Sequence, residues 1–146
     1  MAVDPARAEE TIAWLSKADE DLRAARVLMG AREPLLETAI FHCQQAAEKA
    51  FKAFLVWHDV PFRRTHSLEE IGEQCLQVDA DLTELVDEAA PLGEYAWRYR
   101  YPGEVEYLGL DEVKDALDVS SRVLLAVMER LDSDGDFVKS RPFDAE

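Results

Sequence analysis

Two short basic segments, Arg63-Arg64-Thr65-His66 and Arg98-Tyr99-Arg100, border a stretch of chain that carries no lysine or arginine. Between Thr65 and Trp97, nine Asp or Glu residues accumulate instead. Arginine offers a planar fork of donors that fits phosphate oxygens, and histidine can exchange a proton near neutral pH. Arg63, Arg64, His66, Arg98 and Arg100 therefore have the makings of a phosphate pocket. The plainer alternative is that the arginines pair with neighbouring acids at the surface, where each pair contributes about 0–1 kcal/mol. The same region holds all four tyrosines, Tyr95, Tyr99, Tyr101 and Tyr107, together with Trp97, within thirteen residues. Aromatic rings stack on nucleic-acid bases at about 1–3 kcal/mol each, although some of these rings are equally suited to a core with their hydroxyls reaching water. The candidate nucleotide- or phosphate-binding set is Arg63, Arg64, His66, Tyr95, Arg98, Tyr99, Arg100 and Tyr101.

A second signal lies upstream. When residues are placed at 100° intervals, Gln44 and Glu48 share a helix edge with Phe51 and Leu55, the arrangement of a cleft lining. The alternative is a Glu48–Lys52 pair at i,i+4 with Gln44 at the rim of the core. His42 falls on the polar arc and reads as a surface residue. The chain has no Gly-x-Ser-x-Gly, no phosphate-binding glycine loop and no His-Glu-x-x-His, so no catalytic residue is assigned. Cys43 and Cys75 occupy apolar helical positions, as reduced packed thiols do, and without Cys-x-x-Cys or paired histidines no metal site is expected. No cofactor is expected either.

The formal charge of −15 opposes binding along a nucleic-acid backbone, where every phosphate contact needs a cation, but it permits a local basic site. No apolar run approaches the roughly 18 residues of a membrane span, and Met1 to Glu10 lacks the basic and apolar parts of a leader. A cytoplasmic protein without membrane contact is the expectation.

These residues need elements to position them, and the spacing of apolar residues predicts only helices. Leu15, Ala18, Leu22, Ala25 and Met29 recur at threes and fours behind Asp4-Pro5, an N-cap and first-turn proline, and end near Gly30. Ile40, Cys43, Ala47, Ala50, Phe54 and Trp57 give a second long helix, reaching about His58. Ser67-x-x-Glu70 is a capping box that opens a short third helix carrying Leu68, Ile71, Cys75 and Val78. A fourth runs from about Asp81 to Ala96 and must kink or break at Pro91. Asp111 is expected to cap a last long helix through Leu131. The predicted fold is all-α, an up-and-down bundle of four to five helices with one short appended helix. It occupies residues 1–132, and 133–146 form a flexible tail.

At the second helix the pattern becomes specific. Residues 39–55, Ala-Ile-Phe-His-Cys-Gln-Gln-Ala-Ala-Glu-Lys-Ala-Phe-Lys-Ala-Phe-Leu, resemble the corresponding helix of HEPN domains. The opening Trp-Leu-Ser-Lys-Ala-Asp-Glu-Asp-Leu-Arg-Ala-Ala of 14–25, Arg-Thr-His-Ser-Leu of 64–68 and Arg-Tyr-Pro of 100–102 are similar to that family in the same order. The resemblance implies a bundle of four or five helices, commonly a homodimer, often encoded beside a minimal nucleotidyltransferase in a toxin–antitoxin-like pair. It places Gln45, Glu48 and Lys52 in the matching helix and Arg100 in the matching Arg-Tyr-Pro block. Some members are ribonucleases whose signature is Arg, four to six residues, then His. Here Val105, Glu106 and Tyr107 stand at those positions after Arg100, and no histidine follows His66.

The departure favours a binding module over an enzyme: a nucleotide- or RNA-end-binding protein, or the partner of a nucleotidyltransferase. The alternative is an atypical, metal-independent ribonuclease that uses His66 with Arg100. A third possibility is docking alone, with the acidic stretch meeting a basic protein.

Overall fold

The computed structural model describes residues 4–103 and 107–140. Among these residues the chain is an all-α bundle of six helices: α1 Pro5–Met29, α2 Leu36–Trp57, α3 Leu68–Val78, α4 Thr83–Ala89, α5 Leu110–Asp132 and α6 Gly135–Ser140. Three long helices, α1, α2 and α5, form the frame, and α3, α4 and α6 are short additions.

The helix ends follow local chemistry. Asp4 accepts from the Ala6 backbone N–H at 3.0 Å, with Pro5 in the first turn, and α1 stops at Gly30. Ser67 caps α3 by accepting from the Glu70 N–H at 3.2 Å. Pro91 has the predicted effect, because α4 gives way to 3-10 turns over Ala90–Ala96. The last long helix begins two residues earlier than the sequence suggests. Its N-cap is Gly109, whose N–H donates to Glu112 Oε1 at 3.5 Å, and Asp111 lies inside the first turn, where its charge complements the helix dipole.

α2 is the axis of the bundle, packed most extensively against α1 and then α5. Its alanines, 39, 46, 47, 50 and 53, are fully buried, as are Ala8, Ala18 and Ala25 of α1. Small residues on both helices bring their backbones together, while Phe51, Phe54 and Leu55 fill the wider spaces. Burying each of these larger side chains contributes about 1.5–3 kcal/mol. Ser120 Oγ of α5 donates to the Cys43 carbonyl at 2.6 Å and fixes α5 on α2. Gly72 is required where α3 crosses α4, because a Cβ there would sit 2.6 Å from Val86 Cγ1.

The flexible tail expected from residue 133 is corrected over its first part. Asp134 accepts from the N–H groups of Asp136 and Phe137 at 2.9 and 3.2 Å and so starts α6. The same carboxylate accepts from Trp57 Nε1 at 2.8 Å. Phe137 is 2% exposed and meets the Trp57 ring edge-on at 5.0 Å. A polar Ser-Asp-Gly-Asp run reads as frayed, yet the Asp is a cap and the following Phe an anchor. Residues 141–146 lie outside the described residues, as do Glu104, Val105 and Glu106.

Candidate functional site

The cleft predicted on α2 is filled by a polar network of its own side chains, which an exposed His66 caps from outside. Gln44, Glu48 and Lys52 stack along one edge of the helix and are all buried. Glu48 is the hub: Oε1 accepts from Gln44 Nε2 at 2.9 Å and pairs with His66 Nδ1 at 2.8 Å, and Oε2 accepts from Lys52 Nζ at 2.9 Å. Gln45 donates to Gln44 Oε1 at 2.6 Å. The Lys52 ammonium lies over the Trp14 and Phe62 rings at 5.4 and 5.5 Å, two cation–π contacts that help hold a buried charge. His66 closes the network from the loop between α2 and α3, which Gly93 approaches closely: a Cβ there would lie 3.4 Å from the Leu68 nitrogen.

Among the described residues the two basic borders take separate partners. Arg63 donates from Nε to both Glu70 oxygens at 2.8 and 3.0 Å, and Arg64 is exposed. Arg98 donates to Glu94 Oε1 at 2.8 Å and lies 5.0 Å over the Tyr99 ring. Arg100 takes a different course: its guanidinium carbon lies 4.6 Å over the centre of Phe41, with Nη1 3.4 Å from the Ala96 carbonyl. Phe41, half-buried on α2, is therefore a platform. His66 docks on α2 at Glu48 and Arg100 at Phe41, two helical turns or about 10 Å of rise apart.

Arg100 is turned toward α2 by the backbone. Tyr99 has φ +66°, a left-handed conformation that costs a non-glycine residue about 1–3 kcal/mol. Tyr99 in turn stacks on Tyr95, with ring centres 6.1 Å apart and planes 12° from parallel. Burial, followed by the nearby Glu94 charge, raises the Tyr95 hydroxyl above its ordinary range, so it stays neutral. Trp97, Tyr101 and Tyr107 are exposed.

Arg100, Tyr99 and Phe41 line an open concavity of about 340 Å³ together with Glu37, Thr38 and His42. His42 is the residue that sequence reasoning missed. Its Nδ1 lies 2.8 Å from Oδ1 of Asp21 on α1, and the other oxygen of Asp21 accepts from Lys49 Nζ at 2.7 Å. A carboxylate only accepts, so the hydrogen-bond network assigns the proton to Nδ1 and leaves Nε2 as the free ring nitrogen. The available signal was that Asp21 lies in the same α1 block that matched the family, one turn before the buried Ala25. Nothing in the sequence paired it with His42.

A larger concavity of about 750 Å³ lies at the other end of α2, between the start of α1 and the following loop. Asp4, Glu10 and Asp59 line it against a single cation, Arg7, a charge balance that repels phosphate. Among the described residues no group of three or more His, Cys, Asp or Glu side chains is arranged to hold a metal ion. Burial pushes both thiols, Cys43 and Cys75, up to about 12, which makes them poor nucleophiles and ligands. No described helix is long and apolar enough to cross a membrane.

The chain is an all-α helical bundle built around a long alanine-rich α2, with an arginine folded back onto that helix. The HEPN domain family matches residues 11–131, and the chain belongs to that family. The crystal structure of an archaeal HEPN homologue is similar, with a TM-score of 0.63 and 25% identity, over 82% of this chain and 96% of that one. No curated protein matches.

Proposed function

We propose that this HEPN-domain chain is a binding module that receives a nucleotide or an RNA end in the Arg100 concavity. The observation that carries the reading is Arg100 itself. Its guanidinium is held over Phe41 at 4.6 Å by a strained turn, and it opens onto a concavity also lined by the Tyr99 ring. A fixed guanidinium supplies phosphate recognition, and the Tyr99 side chain that lines the concavity beside it supplies apolar contact for the rest of a nucleotide. The volume lies at the lower end of the small-ligand range of about 300–1,000 Å³ and suits one nucleotide better than a strand.

Calorimetric titration with ATP, GTP and a short RNA tests the reading. Arg100→Ala should lower affinity roughly ten- to hundredfold without changing the melting temperature, since a hydrogen bond to a charged group contributes about 1.5–3 kcal/mol. Unchanged affinity in that variant would sink the reading. The RNA should remain intact on a gel afterwards; cleavage abolished by His66→Ala would favour the ribonuclease alternative.

A second reading, docking of a basic partner such as a nucleotidyltransferase, has its own support. Of the nine acids between Thr65 and Trp97, four are paired with arginines: Glu70 with Arg63, Asp79 with Arg130, Glu88 with Arg122 and Glu94 with Arg98. Glu69, Glu73 and Asp87 instead line a concavity of about 430 Å³ between α3 and α4, with Leu76, Val86, Ala90 and Pro91. A partner bound there should dissociate as salt rises, because screening acts on the exposed charges. Salt-independent binding would count against it. Homodimerisation, the assembly common in the family, is a separate proposal that sedimentation of the purified chain decides.

A further inference from the structure

We infer that the Arg100 concavity selects a phosphate monoester over a diester, with His42 as the second donor to the phosphate. The inference rests on the nucleotide reading above and deepens it. Arg100 is one permanent cation, sufficient for the single charge of a phosphodiester. A terminal phosphate carries about −1.5 to −2 near pH 7 and presents three acceptor oxygens, so a site that prefers it needs a further positive donor. His42 lines the same concavity, and its Nδ1 is already engaged by Asp21.

The hydrogen-bond arrangement gives the reason. Asp21 holds the Nδ1 proton at 2.8 Å, so a second proton on the ring goes to Nε2, on the far side of the imidazole from Asp21. Once protonated there, the imidazolium lies between the Asp21 carboxylate and the incoming dianion, attracted by both. The charged groups placed against His42 or in its concavity are Asp21, Lys49, Glu37 and Arg100. Lys49 neutralises part of Asp21 at 2.7 Å, so the charge that the phosphate meets beyond the ring is not a bare carboxylate. Glu37 also lines the concavity and opposes the charge of either phosphate, so Arg100 and His42 must act together to offset it. The overall charge of −15 repels a long strand more than a single nucleotide, but it also opposes a dianion more than a monoanion, so the monoester preference has to come from Arg100 and His42. Binding of the dianion should therefore take up a proton on His42.

The test is calorimetric titration of the full chain with AMP, which bears a monoester, cyclic AMP, which bears a diester, and adenosine, which bears neither. Each titration is run at about pH 7.5, where the free monoester is already almost wholly dianionic and releases little proton on binding, in two buffers of different ionisation enthalpy. AMP should bind roughly ten- to hundredfold more tightly than cyclic AMP, with a buffer-dependent enthalpy that reports proton uptake. His42→Asn should erase both the preference and the uptake, and its amide can still donate to Asp21, which preserves the fold. Equal, measurable affinities for AMP and cyclic AMP would overturn the inference and leave the nucleotide reading standing. No binding of any of the three would overturn both. A preference or a proton uptake that survives in His42→Asn would also overturn it. If that variant failed to fold, the buffer dependence of the wild type would decide, since absent uptake excludes the role given to His42.

Discussion

Two networks of the same parts lie on different edges of α2, and they do different things. In each, a carboxylate holds a histidine Nδ1 at 2.8 Å and accepts from a lysine, His66 and Lys52 on Glu48 in one, His42 and Lys49 on Asp21 in the other. Glu48 has a third donor in Gln44, and its side chain is 3% exposed. Asp21 is 10% exposed, and its lysine 23%. In the first network Glu48 and Lys52 are covered by Trp14, Phe62 and the loop that carries His66, and their charges serve mainly each other, while the His66 ring itself is 66% exposed against 28% for His42. The second sits where α1 meets α2 beside an open concavity, with a cation, Arg100, already in place. The contrast teaches that a histidine on a carboxylate is not by itself a site. What matters is whether the ring shares a cavity with something a ligand could also bind.

Removing each hub is the strongest way to break this comparison. Glu48→Ala leaves Lys52 buried without its carboxylate and should lower the unfolding free energy by about 3–5 kcal/mol, read from denaturant unfolding. Asp21→Ala exposes less unpaired charge, because Lys49 reaches water, and should cost about 1.5–3 kcal/mol. If the two losses were equal, burial would not be what separates the networks. The histidines sharpen the distinction. His66→Ala should cost about 0.5–1.5 kcal/mol and leave nucleotide affinity unchanged, since Glu48 keeps two donors and His66 lies outside the Arg100 concavity. A large loss of affinity in His66→Ala would join the two regions into one site.

The smallest effect concerns a carboxylate outside both networks. The Arg130 side chain, hydrogen-bonded at 2.6 Å, holds Asp79 below its ordinary value. A carboxylate depressed in the folded state adds stability that is fully present above its unfolded pKa of about 3.9 and is lost as pH falls through the lower folded value. Arg130→Ala should therefore flatten the acid limb of the stability curve below about pH 4 and leave the shape of the curve near neutrality unchanged. Thermal melts at stepped pH would show it.

Helix positions were legible because they depend on local chemistry. The period of apolar residues, Asp4-Pro5, the Ser67–Glu70 capping box and the break at Pro91 are each readable within one or two turns of chain. α6 was not, because Asp134 and Phe137 acquire their roles from Trp57, 77 residues away from the capping aspartate. The site divided along the same line. The sequence singled out Arg100 and Tyr99 by clustering and Glu48 by helical phase, but placed His42 on a surface arc. Periodicity sees one helix at a time, and the carboxylate that orients His42 belongs to another.

By itself, then, the sequence determined an all-α chain, its family, the absence of the Arg-x4–6-His pattern and the clustering of basic and aromatic residues. Tertiary structure alone decided which charges meet. It turned Arg63 onto Glu70 and Arg98 onto Glu94, folded Arg100 over Phe41, buried Glu48 beneath His66 and brought Asp21 to His42. The physical reason is range: helix formation is written in neighbours three and four residues apart, whereas a charge is satisfied by whatever the packing of separate helices places within about 3 Å of it.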